Sequence, residues 1–336
     1  MKANAGPARG LGLAIASSAT FGTSGSFGTS LIRSGWSPGA VATIRICLAA
    51  LVLTSPALFQ LRGQFRRLRG GVKPVTGYGV FAVAAGQICF FNAVEHLSVA
   101  VALLLEYSGI LLVIGWLWLT KNHRPRRLTV AGALAALVGL TLVLDLLSDH
   151  HLNLVGIAWA VGAAIGLAIY FVMSANTDDG VPPLVLAWGG LVTGGVALII
   201  ADAVGVLPFS APRATVTLAH THFSWIVPVL GLSVIAAAFA YTAGIAGVRL
   251  LGAKVASFVG LTEVLFAVVV AWWLLGQSLT ALQILGGALV VVGIALVRLD
   301  ETASPRTVPA LELPKTRTTP PSPAALVECP TGQPTR

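Results

Sequence analysis

Apolar residues along this chain fall in runs of about twenty, the length a helix needs to cross a lipid bilayer. Polar positions are largely confined to short stretches between the runs. Ten runs can be marked, at 10–32, 36–59, 75–95, 98–119, 128–146, 154–175, 184–206, 223–246, 255–275 and 280–298. The longest internal connection, 207–222, carries Pro208, Pro212, His220 and His222. Past Arg298 the pattern stops: residues 300–336 are rich in Pro, Thr and charge, with no apolar period, and are expected to form a disordered tail. The first run is the exception to the apolar rule. Its segment ASSATFGTSGSFGTS (16–30) is too polar to face lipid comfortably, and suits either a face lining a wet pathway or a close helix contact.

Composition carries the same message. Hydrophobic residues make up 56% of the 336 and charged ones only 10%, where a soluble chain carries about 25% charge. Mean hydropathy is +0.88. A chain so poor in charge cannot cover itself with a water-facing surface, so it reads as an all-α polytopic membrane protein. The net charge of +9 could suggest nucleic acid, but the cations sit in loops. With the N-terminus in the cytoplasm and sides alternating, all but three of the 21 Lys and Arg fall on the cytoplasmic side. Arg33 and Arg213 lie opposite and Arg45 lies within a run, while the loop with Asp178 and Asp179 contributes no cation. This split supports ten spans with both termini cytoplasmic, in a cell inner membrane. Lys2 and Arg9 before the first run resemble a signal n-region, but further spans follow, so the segment is read as a retained helix.

The halves repeat. AVALLLEYSGILLVIGWLWL (100–119) overlays SFVGLTEVLFAVVVAWWLLG (257–276) without gaps, setting Glu106 on Glu263 and Trp116 on Trp273. LVGLTLV (137–143) then falls on VVGIALV (291–297). Helices four and five thus resemble nine and ten, giving repeats at 1–147 and 148–299 and the tail at 300–336. Five spans per repeat is odd, so the halves must be inverted, an architecture of secondary transporters with the substrate near the midplane.

The chemistry rests on few side chains. Glu106 and Glu263 lie deep in their runs, where a carboxylate is costly unless it faces protein or water. Each suits proton exchange, the amine of a substrate, or a structural hydrogen bond. Arg45, in TIRICLAALVL, remains charged and needs a carboxylate partner, a watery cavity or a route to the interface. Tyr107, Tyr170, Tyr241 and Trp188 are mid-span aromatics able to stack on a substrate or to pack. Trp116, Trp118, Trp272 and Trp273 suit an interfacial belt. Glu95, His96, His150, His151, His220 and His222 cluster on the outer side at uneven spacing and read as solvated, without a metal. Cys47, Cys89 and Cys329 suggest neither zinc nor a disulfide framework. Gly132, Gly139, Gly286 and Gly293 mark helix faces suited to a homodimer or to internal packing. With no phosphate loop, GxSxG or HExxH, neither a catalytic centre nor a cofactor is expected.

VAVALLLEYSGILLVIGWLWL and AYTAGIAGVRLLGAKVASFVGLTEVLFAVVVAWWLLGQSLTALQILGGALVVVGIAL make the chain resemble the drug/metabolite transporter superfamily, in its EamA-type ten-helix branch, nearest the threonine/homoserine exporters. The resemblance covers about residues 10–299. It implies two inverted five-helix repeats around a central cavity and export of amino acids or related metabolites. It also implies that Glu106, Glu263 and Arg45 match the family's helix-borne acids and helix-two arginine. Two departures stand out. Pro often follows these acids in the family, where this chain has Ile110 and Val264, so a weaker helix break is expected. Gln277 replaces a frequent Glu. The reading is a secondary transporter working by alternating access, with proton coupling open. A facilitator or exchanger of drugs or other metabolites is the alternative, ahead of an intramembrane enzyme or a membrane scaffold.

Overall fold

The computed structural model describes residues 5–62, 65–97, 99–121, 125–144, 153–177, 180–218, 221–275 and 280–302. Lys2, His150, His151, Asp178, Asp179, His220, Gln277, Cys329 and the tail beyond residue 302 lie outside them.

Helix α1 (Ala5–Arg33) is followed by α2 (Pro38–Leu61), which starts at a well-built N-cap. The Ser37 hydroxyl accepts from the Ala40 N–H, and Pro38 fits the first turn, where no donor is needed. Helix α3 (Phe65–Gly77) runs through a π-helical stretch, Tyr78–Ala85, into α4 (Gly86–His96). This rod begins ten residues before the apolar run that predicts it, because a helix can extend beyond the apolar stretch into a basic segment. Next come α5 (Val99–Tyr107) and α6 (Gly109–Lys121), interrupted at Ser108, then α7 (Arg127–Val143). The second half has α8 (Leu154–Ala175) and α9 (Pro183–Ala203). Then α10 (Ile226–Leu230), a second π-helical stretch (Gly231–Phe239) and α11 (Ala240–Leu251) form one rod. Gly252, at φ +82°, turns the chain directly into α12 (Ala253–Gly260), a conformation costly for any residue with a Cβ. After a break at Leu261 come α13 (Thr262–Leu275) and α14 (Ala281–Thr302).

Among the described residues, 8 of these rods are long and apolar enough to cross a membrane. Arg127–Val143 is apolar but shorter, and α1 is long enough but too polar to be counted with them. Leu119, Leu154 and Trp273 are 84%, 82% and 74% exposed, the inverse of a water-soluble surface. The chain is a polytopic membrane protein.

The long connection after α9 is not featureless. Strands β1 (Thr215–Leu218) and β2 (Thr221–Ser224) form an antiparallel hairpin, with Thr215 opposite Ser224, a small departure from the all-α expectation. Alternation along TVTL turns Val216 and Leu218 into a core with Leu31, Trp36 and Val229. The approach to the hairpin is tied to the α1–α2 turn. Trp36 Nε1 donates to the Pro212 carbonyl at 2.8 Å, Ser37 Oγ to the Pro208 carbonyl at 2.6 Å, and the Ser210 N–H to Ser37 Oγ at 2.9 Å.

Helices α7 and α14 pack antiparallel on their glycines, which settles the glycine faces as internal contacts. A Cβ on Gly132 would meet the Gly293 carbonyl oxygen at 2.7 Å, and one on Gly139 the Gly286 carbonyl oxygen at 2.5 Å. Beside this pair, Asp300 is buried and accepts from Thr129 Oγ1 at 2.5 Å and from Lys254 Nζ at 3.3 Å. That joins α7, α12 and α14. Replacing Asp300 with Ala is expected to remove the contacts with Thr129 and Lys254. The cost should be about 2 kcal/mol, below that of a fully buried pair because Lys254 keeps some exposure. Melting in detergent should fall by several degrees, and an unchanged melt would show the cluster to be dispensable.

Candidate functional site

Arg45 sits eight residues into α2, facing the second π-helical stretch. Its Nη2 donates to the Ala236 carbonyl at 2.9 Å, and its guanidinium lies 5.6 Å from the centre of the Phe21 ring. Its Nε has no hydrogen-bond partner. Among the described residues, no carboxylate lies within ion-pair distance of it. Phe21 meets Tyr241 edge-on at 5.1 Å, and Tyr241 meets Tyr170 edge-on at 5.9 Å. A train of rings therefore leads from the cation into the second half of the chain.

The two acids stand beside helix interruptions. Glu106 is in the last turn of α5 and Glu263 in the first turn of α13. Neither interruption contains a proline. Ser108 interrupts the first, its hydroxyl donating back to the Leu105 carbonyl at 2.6 Å and its own carbonyl accepting from the Leu111 N–H at 2.8 Å, and Leu261 interrupts the second, its N–H donating to the Phe258 carbonyl at 3.1 Å. Neighbouring glycines hold these bends in tight contacts: Gly109 abuts the Ala164 backbone and Gly260 the Phe171 ring. The breaks do not correspond, since one follows its acid and the other precedes it. Glu263 thus lies at the positive end of its helix dipole and Glu106 at the negative end of its own.

These groups share one cavity of about 330 Å³, within the range of small-molecule sites. Arg45, Glu106, Tyr107, Tyr170, Tyr241 and Glu263 all line it. Arg45 and the two acids lie within electrostatic reach of one another, and the Tyr107 hydroxyl is turned toward Glu263. The hydroxyl and glycine face of α1 forms one wall, through Ser17, Ser18, Ser24, Gly25 and Thr29. Gly25 meets nothing within 4 Å, whereas Gly22 presses on the α13 backbone, so α1 both lines the cavity and packs closely.

Trp188 is not among the lining residues; its Nε1 donates to Thr54 Oγ1 at 3.0 Å between α9 and α2. Trp116, Trp118, Trp272 and Trp273 are exposed on the outside of the bundle. Glu95 and His96 are exposed at the end of α4, and His222 faces Thr217 in the hairpin. Reading the sequence overlooked Phe21, Phe90, Phe91 and Gln87, which also line the cavity. Gln87 had a signal, being an amide within an apolar run; the phenylalanines had none.

Comparison with known proteins is consistent with this geometry. The uncharacterized inner membrane transporter YicL of Salmonella typhimurium is 25% identical over 76% of this chain and 84% of its own length. The threonine/homoserine exporter RhtA of Escherichia coli K12 is 28% identical over 75% of this chain and 79% of its own. A crystal structure superposes with a TM-score of 0.71 at 17% identity, covering 88% of this chain and 99% of that one, and so supports the fold alone. Residues 8–145 and 154–299 both match one family, and the chain belongs to it: the EamA-like transporter family.

Proposed function

We propose that this transporter exports small amphipathic metabolites, amino acids foremost, across the inner membrane by alternating access, with proton coupling through Glu106. The observation that carries this reading is the convergence of Arg45 and Glu106 from the first half and Glu263 from the second on one cavity. An amino acid presents a carboxylate and an ammonium group, and the cavity offers a guanidinium and two carboxyls to meet them. The exporter named among the relatives acts on such substrates.

The proposed architecture is ten spans in two inverted repeats, 1–147 and 148–299. Overlaying 137–143 on 291–297 sends Gly132 to Gly286 and Gly139 to Gly293. The contact Gly132–Gly293 then becomes Gly286–Gly139, which is the second contact seen. A two-fold axis across an antiparallel helix pair produces such reciprocity. The matched π-helical stretches support it further. Rocking one repeat against the other would expose the cavity to each side in turn.

The test is uptake of a labelled amino-acid mixture into proteoliposomes, with and without an imposed pH gradient. Gradient-driven accumulation is expected. Uptake indifferent to the gradient would leave a facilitator or exchanger, and no uptake of any amino acid would overturn the substrate class. Within this assay, Arg45→Met should weaken transport of intact amino acids at least tenfold, because a charge-assisted contact to the carboxylate is lost. Decarboxylated analogues should be affected far less, and equal loss on both would remove the anchoring role.

A further inference from the structure

We infer that Gln87 is a specificity-determining residue of this cavity, reading a hydrogen-bonding group on the substrate's side chain. The inference rests on the amino-acid reading above. On the rod that contains α4, the cavity-lining residues are Ala82, Gly86, Gln87, Phe90, Phe91 and Val94. Their spacing is that of one helical face. Gly86 holds this face in place, because α8 crosses there so closely that a Cβ on Gly166 would meet the Gly86 Cα at 2.9 Å. Gln87 is the one polar side chain on an otherwise apolar and aromatic wall.

Three of the other polar groups around the cavity have protein partners for part of their capacity. Ser17 donates to the Ala240 carbonyl at 2.8 Å, Ser18 to the Val259 carbonyl at 3.4 Å, and Arg45 to Ala236. Gln87 has none among the described residues, although its amide offers two donors and an acceptor. Within a span, an amide left unpaired is costly, so its partner is water or the occupant of the cavity. Arg45 and the acids take the charged ends of an amino acid. Gln87 stands on a different helix, among phenylalanines that suit a substrate's carbon skeleton, and is left to meet its side chain. A site that hydrogen-bonds a substrate hydroxyl rejects the analogue without it far more strongly than an apolar pocket does, since the site's own polar group is then left unpaired.

Threonine and valine test this, because they share a shape and differ by a hydroxyl for a methyl. Initial rates for both are measured in proteoliposomes of the wild type and of Gln87→Met, which keeps the side-chain length and removes the amide. The wild type is expected to favour threonine. Gln87→Met should lose at least tenfold of that preference while still moving valine, and Gln87→Asn should restore part of it. A merely structural glutamine would lower both rates together. An unchanged threonine-to-valine ratio in Gln87→Met overturns the inference alone, as does a wild type without preference. Transport of neither amino acid by the wild type overturns the substrate reading and this inference with it. Should Gln87→Met not accumulate in the membrane, Gln87→Glu, which retains an acceptor and loses the amide donors, supplies the same ratio.

Discussion

Glu106→Gln is expected to abolish gradient-driven accumulation while leaving exchange of internal for external substrate in place. Glutamine has the shape of a protonated glutamic acid and keeps its capacity to hydrogen-bond, so the fold should survive. What it cannot do is take up and release a proton. Glu106 is the better candidate of the two acids for that task on geometric grounds. It occupies the last turn of α5, at the negative end of a helix dipole, with Glu263 across the same cavity. Its charge is the one the surroundings compensate least, so a proton or a substrate ammonium is the natural neutralising partner. Glu263, at the start of α13 with the Tyr107 hydroxyl turned toward it, is already provided for. The measurement is labelled-substrate accumulation under an imposed pH gradient, set beside counterflow without one. Accumulation should fall to the level seen with no gradient. Counterflow should remain within a few-fold of wild type, because alternating access itself needs no proton in an exchange cycle. A variant that still accumulates under the gradient would remove the proton role and leave Glu106 a structural acid.

The limits of the sequence reading follow from what a membrane sequence records. Spans are legible because lipid imposes both length and composition on them, so the rods lie within a few residues of the apolar runs except where helix continues past the run, as at Phe65. Charge in such a chain is rare enough that each buried instance signals itself, which is why Arg45, Glu106 and Glu263 stood out. The breaks at Ser108 and Leu261 left no trace, since no proline marks them and close contacts such as Gly109 against the Ala164 backbone cannot be read from one sequence. Phe21 and Phe90 were invisible for another reason: an aromatic facing a cavity and one facing lipid read alike. Trp188 shows the converse, a mid-span polar aromatic engaged by Thr54.

Gly139→Leu is expected to destabilise the bundle strongly. In lipid no hydrophobic force drives helices together, so α7 and α14 associate through close backbone packing that small residues permit. At Gly139 even one added carbon would sit 2.5 Å from the Gly286 carbonyl oxygen and 2.7 Å from the Val290 nitrogen. Both neighbours are main chain, and neither can swing aside as a side chain would. The helices must therefore move apart, giving up the matching contact at Gly132–Gly293 as well. Overpacking of this kind costs about 1–3 kcal/mol for a small intrusion and more for leucine, a fall in melting temperature of several degrees. Gly12→Ala is the control, because a Cβ there meets nothing within 4 Å, and it should melt like wild type. The comparison that tells most is with Gly293→Leu, where an added carbon would sit 2.6 Å from the Gly132 carbonyl oxygen. If the halves are related by a two-fold axis, Gly139 and Gly293 are equivalent positions in two reciprocal contacts, and the two leucine variants should lose stability to a similar degree. Stability retained in either would mean that α14 can shift to accommodate the intrusion, so that the glycine contact would no longer be what fixes this helix pair.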